Sequence, residues 1–546
     1  MEGRRSGNYV PSIWKDDYVQ SLNSPYSAKE YLGHLEELKD HVKIMMMETE
    51  DEEHQLELID NLQRLDISYH FQDEIGQILK NIYLTSPYFR DGKTEKDLYT
   101  TSLKFRLLRQ YRYHVPQDVF SSFMDAGGNF QTSILDDDVK GVLALYEASF
   151  LSVENESIMD KARDFATHHL KENLARIITD DIESVETDEI KHALELPMHW
   201  RVQKLEAKWF IHICNKKNDA NRILLELAKL DFNTTQAKYQ NEVKEMSRWY
   251  RESGLIEKLS FARDRLVECF LWALGFIPDP HFAYARKTLT KIGVFITIID
   301  DIYDVYGTLD ELELFTDAIE RWDVKELDKL PEYMKICFLA LFNCTNELAY
   351  DILRDQGLSV ISNLKKLWAE LSRTYYQEAK WFHTGYFPTL DEYLNIAWIS
   401  ITGPVLLLHA YFSITDPINN EDLRSLEKYP SIIRCPSMIL RLADDLGTTS
   451  DEIKKGDVPK SIQCHMNDTG SSEEDAREYI KHLTEVMLKR MNKDILMDSP
   501  LRNFVPTAMN LARISLCFYE HGDGFGTPQY ETKEKLVSLI VEPILL

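Results

Sequence analysis

Val294-Phe295-Ile296-Thr297-Ile298-Ile299 runs straight into Asp300-Asp301-Ile302-Tyr303-Asp304. An apolar run closed by three carboxylates predicts a core helix whose last turn offers oxygen to something outside the core. Asp300 and Asp304 are four apart and share a helix face, with Asp301 turned about 100° from Asp300, so two or three carboxylates reach toward hard cations. In a chain this acidic, one such motif alone equally describes a solvated helix end.

A second segment changes that balance. Met438-Ile439-Leu440-Arg441-Leu442-Ala443 is apolar but for its arginine, and then meets Asp444, Asp445, Thr448 and Glu452. Asp444, Thr448 and Glu452 stand at i, i+4 and i+8. That spacing stacks a carboxylate, a hydroxyl and a carboxylate along one face and suits a magnesium ion shared with substrate phosphates. The bland counterpart is an N-capped polar helix end.

Outward from these segments, apolar residues recur at three and four, as in Leu56, Leu58, Ile59, Leu62 and Leu65, and strand-like alternation is hard to find. The expected fold class is all-α. Prolines at 25, 116, 197 and 280 punctuate the helices, and the acidic run Glu48 to Glu53 reads as a solvated helix face. At 546 residues the chain exceeds what one core serves. The polar stretch Asn215-Lys216-Lys217-Asn218-Asp219 places a boundary near residue 220, giving domains 1–220 and 221–546.

The formal charge of −27, from 90 acidic against 63 basic residues, disfavours nucleic acid and anionic membrane as partners. An anionic substrate would need a metal bridge. No stretch of about 18 uninterrupted apolar residues is present to span a membrane. The seven cysteines form no CxxC pair, which points to reduced thiols. The Met-Glu-Gly-Arg-Arg start lacks a signal core or a plastid-type leader, so a cytoplasmic location is expected. No heptad seam or apolar stripe calls for an obligate protein partner.

Two carboxylate clusters holding cations would still leave a departing diphosphate under-neutralised, so guanidinium groups should stand nearby. Arg263 and Arg265 flank Asp264 upstream of the first cluster, and Arg441 lies three residues before Asp444 on the same face. A carbocation then needs a dry pocket with aromatic walls. Trp272 and the segment around Asp523 are the chosen candidates, with Phe295, Tyr303, Tyr519 and Phe525 behind them.

These residues resemble the plant class I terpene synthases over essentially the whole chain. The aspartate-rich motif matches Asp300 to Asp304, the second metal motif (N/D)Dxx(S/T)xxxE matches Asp444 to Glu452, and RxR matches Arg263 to Arg265. Arg4, Arg5 and Trp14 are similar to the RRx8W motif of the monoterpene-synthase-type angiosperm subfamily, which is associated with ordering the N-terminal segment over the site.

The resemblance implies an N-terminal α-barrel domain, catalytically silent, followed by a C-terminal class I isoprenoid-synthase helical bundle. It implies that Asp300, Asp301, Asp304, Asp444, Thr448 and Glu452 hold three magnesium ions, with manganese as a substitute. Arg263, Arg265 and Arg441 would receive the leaving diphosphate. The loops Ser450 to Lys460 and Gly522 to Pro528 would close over the pocket.

The chain also departs from the pattern. Asp136-Asp137-Asp138 is followed by Val139, so the DxDD acid motif of protonation-initiated cyclases is missing. Isoprene synthases narrow the pocket with two phenylalanines where this chain reads Gly293 and Leu440, and the family's late tyrosine is Phe525. Farnesyl diphosphate is the favoured substrate, giving a sesquiterpene. A monoterpene synthase using geranyl diphosphate is the alternative, ahead of a chain-elongating prenyltransferase, which would repeat DDxxD on the opposing helix, and of a non-catalytic helical scaffold.

Overall fold

The computed structural model describes residues 9, 11–86, 97–131, 138–179, 184–455, 458–525 and 530–546, with the side chains of 178, 179, 450–455, 530–533 and 536 outside the description. The fold is all-α as expected: the chain is 77% helical, and the described residues form no strand beyond one bridge between Met124 and Phe130.

Two compact units interleave in sequence. One comprises Ser24–Ala237, Lys489–Arg502 and Glu542–Leu546; the other comprises Met1–Asn23, Lys238–Leu488 and Asn503–Val541. One unit gives way to the other between Ala237 and Lys238, inside one continuous helix. No composition shift marks that point, because a helix passing from one core to the next stays apolar on its inner face throughout.

The first unit is built on α1 (Glu52–Arg64), α2 (Leu98–Gln110), α3 (Val139–Ser149) and α4 (Ser157–Thr179), packed in succession. Leu56, Ile59 and Leu62 on α1 meet Leu103, Leu107 and Leu108 on α2, and Leu145 on α3, in one apolar core. The acidic run Glu48 to Glu53 is a helix break, not a helix face: Asp51 caps α1 by accepting from the His54 N–H at 3.0 Å. A short acidic side chain gains more from orphan N–H groups at a helix start than from a mid-helix position. Asp138 is likewise the cap of α3, accepting from the Gly141 N–H at 2.7 Å, while Asp136 and Asp137 lie outside the described residues.

The helix α5 (Arg222–Glu252) leads into the second unit. There α6 (Leu266–Phe276) packs on α7 (Ala283–Asp301), and α8 (Leu309–Arg321) packs on α9 (Ile361–Thr384). α10 (Leu390–Ser400), α11 (Gly403–Ile414), α12 (Ser431–Lys455) and α13 (Val505–Tyr519) complete the bundle, with α12 lying along α13. Thr402, at φ +72°, breaks the chain between α10 and α11.

Two stretches, Glu332–Gln356 and Leu390–Ile414, are long and apolar enough by composition to cross a membrane. The second is largely buried inside the bundle and interrupted at Thr402, as a core element is. The N-terminal segment is bolted to α5: Ser247 donates to Asp16 at 2.7 Å and Arg251 pairs with the same carboxylate at 2.5 Å. Trp14 is buried in this unit, while Arg4 and Arg5 lie outside the described residues.

Candidate active site

The first aspartate cluster sits where α7 loosens. After Asp301 the helix widens into one π turn, Ile302–Tyr306. Such turns are uncommon and frequent at functional sites, and this one re-aims the last carboxylate of the motif. Tyr303 is buried and hydrogen-bonded to Thr316 at 2.7 Å, Asp304 is exposed, and the Asp300 side chain retains 27% exposure.

Asp301 stands apart from Asp300 and Asp304 in its burial. It is fully buried, accepts from the Arg263 backbone N–H at 2.7 Å, and meets Arg263 Nε at 2.9 Å. Its neighbour Asp300 pairs with Arg263 Nη2. Burial raises the Asp301 pKa against the lowering effect of Arg263, and the two aspartates hold Arg263 well above its ordinary value despite its burial. Asp301 therefore faces the arginine rather than an open coordination position.

The second cluster repeats this arrangement. On α12, Arg441 Nη2 pairs with Asp444 and Nε meets Asp445 at 2.8 Å. Asp445 is fully buried and takes the Tyr393 hydroxyl at 3.0 Å and the Ser461 N–H at 3.1 Å. Asp444 keeps a 12% exposed side chain. The Thr448 hydroxyl donates to the Asp444 carbonyl at 2.9 Å, which leaves its oxygen lone pairs as acceptors. The Glu452 side chain lies outside the described residues.

Both clusters act on the same side chains. Tyr519 feels the charges of Asp523, Arg441, Arg263 and Asp300, and Glu378 feels Lys460, Arg441 and Asp300. Burial raises the Glu378 pKa, and its carboxyl accepts from Ser400 at 2.6 Å. Tyr375, one turn earlier on α9, feels Asp300, Asp304 and Glu378. Glu378, Tyr375 and Lys460 were not among the expected site residues. The available signal was a tyrosine and a glutamate at i and i+3 on an amphipathic helix, a pattern many surface helices share.

The remaining expected residues divide. The Trp272 ring lies tilted at 4.8 Å from Phe518 and 6.3 Å from Tyr519, which places it beside the site. Asp523 joins through its charge on Tyr519 and caps the turn at Phe525, whose N–H reaches it at 3.2 Å. A Cβ on Gly447 would meet the carbonyls of Tyr519 at 3.0 Å and Gly522 at 3.1 Å, so this segment lies directly on the second metal-motif helix. Residues 526–529 and 456–457 of the two expected loops lie outside the description.

Arg265 is buried and donates to the Asp264 carbonyl at 2.8 Å; its charge is felt by Glu268. Gly293 is not an open pocket floor. A Cβ there would meet Cys269 Cβ and Sγ at 3.1 Å, so a phenylalanine at 293 would wedge α6 from α7 before it filled any cavity.

Glu268, on α6 one turn before Trp272, is buried and its pKa is pushed up to about 7, chiefly by burial. A carboxyl that binds its proton more tightly when folded stabilises the fold fully below its unfolded pKa, and that stability is lost as pH rises through about 7. Glu268→Gln should therefore match the wild type near pH 5 and exceed it near pH 8, by up to about 3 kcal/mol. Thermal melts at the two pH values check this, and an equal gap at both would refute it.

The donors present suit a hard divalent cation: carboxylates and a hydroxyl, with the nearby thiols of Cys269 and Cys464 held protonated by burial, at about 12. Among the described residues no three His, Cys, Asp or Glu side chains form a ready-made ion site.

Two family models match, "Terpene synthase, N-terminal domain" over residues 13–194 and "Terpene synthase family, metal binding domain" over residues 251–490. The chain belongs to the terpene synthase family. A curated relative, trans-alpha-bergamotene synthase of Phyla dulcis, is 64% identical over 100% of both chains. Limonene synthase solved with 2-fluorolinalyl diphosphate superposes with a TM-score of 0.96 at 44% identity, covering 99% of this chain and 100% of that one. Isoprene synthase of Populus x canescens, solved with three Mg2+ ions and dimethylallyl-S-thiolodiphosphate, gives 0.89 at 45% identity, covering 98% and 99%. This chain is thus a lyase of the terpene synthase type, and its metal-binding domain marks it as dependent on divalent metal.

Proposed function

We propose that the chain converts farnesyl diphosphate to a sesquiterpene with magnesium at both aspartate clusters. The observation that carries this reading is the pair of arginine–aspartate assemblies whose charges converge on Tyr519. The chain length rests on the bergamotene synthase relative, whose product class is a sesquiterpene. Magnesium, when bound, supplies the positive charge that makes diphosphate a good leaving group.

The residues of the chain do the rest. Asp300, Asp304, Asp444, Thr448 and Glu452 present oxygen to cations. Arg263, Arg441 and Lys460 receive the diphosphate oxygens as the allylic C–O bond breaks with both electrons on oxygen. Trp272, Phe518 and Tyr519 offer aromatic faces to the cation, and the segment Tyr519 to Phe525 keeps water away. Loss of a proton from carbon to the released diphosphate, with the C–H electrons forming the alkene, ends the reaction.

The geranyl alternative is favoured by one observation, the likeness to limonene synthase at a TM-score of 0.96. Gas chromatography of products from purified enzyme, with magnesium and each diphosphate in turn, decides between them. Sesquiterpenes at the higher kcat/KM are expected. A clear preference for geranyl diphosphate would overturn the chain-length assignment, and no hydrocarbon from either would overturn the whole reading.

A further inference from the structure

Asp301 and Asp445 are the second aspartates of their clusters, both fully buried, and they have the same set of partners. Asp301 meets the Arg263 guanidinium through Nε at 2.9 Å, one backbone N–H, that of Arg263 at 2.7 Å, and one tyrosine hydroxyl, that of Tyr9. Asp445 meets the Arg441 guanidinium through Nε at 2.8 Å, one backbone N–H, that of Ser461 at 3.1 Å, and one tyrosine hydroxyl, that of Tyr393 at 3.0 Å. In both cases Nη2 of the same arginine pairs with the first aspartate, the less buried of the two.

The two assemblies reach this pattern by unlike routes. Arg263 comes from a loop far upstream of Asp300 and Asp301, whereas Arg441 precedes its aspartates on one helix. Tyr9 comes from the N-terminal segment and Tyr393 from α10, and both belong to the same compact unit. Sequence neighbourhood does not account for the match, so a shared requirement of the site does.

That requirement is orientation. A free arginine side chain carries roughly 2 kcal/mol of rotamer entropy, and a planar fork is useful to a phosphate only if its plane is held. A buried carboxylate ion-paired with Nε holds the plane, but only while the acceptor capacity left beyond its one backbone N–H is satisfied; left short, it would swing to take more of the guanidinium. A phenol satisfies it without adding a charge that would compete with the arginine. The Tyr9 ring also lies 5.1 Å from the Arg263 guanidinium carbon, which adds a cation–π contact.

We propose that Tyr9 and Tyr393 are matched positioning residues, each holding the second aspartate of one cluster so that Arg263 or Arg441 is fixed for the departing diphosphate. This rests on the site reading given under Proposed function. The N-terminal segment thereby contributes one hydroxyl to the ordering of the diphosphate end of the site.

The test uses the full chain, with Tyr9→Phe and Tyr393→Phe made singly and in Arg263→Lys and Arg441→Lys backgrounds. Affinity for inorganic pyrophosphate with magnesium is measured by calorimetry, which needs no turnover, alongside kcat, product ratios and thermal midpoints. Each tyrosine variant should weaken pyrophosphate binding about tenfold and lower kcat by roughly 10- to 100-fold. Product ratios should stay unchanged, because the pocket walls are untouched.

Tyr393→Phe should cost less than about twofold further once Arg441 is lysine, and Tyr9→Phe likewise once Arg263 is lysine, while the crossed pairs multiply. Unchanged pyrophosphate affinity, or full multiplication within each matched pair, overturns the proposal. A fall in the thermal midpoint with no change in pyrophosphate affinity also overturns it, since that is a purely structural role. Should Asp300→Ala and Asp444→Ala turn over normally, the site reading itself fails; with those variants inactive and the tyrosine variants normal, only the positioning role does.

Discussion

Asp444→Ala should reduce turnover by roughly a thousandfold or more, about 4 kcal/mol of transition-state stabilisation, and Asp300→Ala should do the same. Each removes a carboxylate at the site and also leaves Arg441 Nη2 or Arg263 Nη2 without its partner. The fold should persist, because the buried partners Asp445 and Asp301 still hold the same guanidinium groups through Nε. Steady-state kinetics with magnesium, together with circular dichroism, checks both halves. Wild-type turnover in either variant would remove the metal assignment.

The largest effect on stability is expected far from the chemistry. Arg286 on α7 is completely buried and pairs with Glu242 through two contacts of 2.7 Å, Nε and Nη2 each to one carboxylate oxygen. Its Nη1 also donates to the carbonyls of Ile277, at 3.1 Å, and Asp279, and so clamps the α6–α7 connection. Arg286→Met leaves the Glu242 carboxylate buried without its counter-charge and frees the carbonyls of Ile277, Asp279 and Pro280. The expected loss is about 3–5 kcal/mol, a fall in the thermal midpoint of roughly 10 °C. The double variant with Glu242→Leu should recover most of it, since an apolar pair of similar volume carries no desolvation penalty. A single variant that melts with the wild type would show that the charge pair contributes nothing to this unit.

Much of the site was legible in the sequence because metal chemistry demands particular side chains at helical spacing. Asp300, Asp304, Asp444 and Thr448 announce themselves by phase alone, and Arg441 by lying on the face of Asp444. Asp301 was read as one more ligand, because spacing reports which way a side chain leaves its helix and not what it meets there. Its burial against Arg263 depends on a loop that returns from 38 residues away. Glu378 escaped for the complementary reason: a glutamate on an amphipathic helix looks solvated until a second helix closes over it. Gly293 was read as space for substrate, yet the space belongs to Cys269 on the neighbouring helix.

The sequence by itself determined the helical architecture and the family, since these follow from local periodicity and from motifs whose chemistry tolerates few residue types. Only the tertiary structure decided that the N-terminal segment belongs to the unit carrying the metal motifs, and that Asp301 and Asp445 share one set of partners. It also decided that both clusters act on Tyr519 and Glu378. The physical reason is that a side chain's burial and charge environment are set by groups distant in sequence, and no local pattern records which of them will arrive.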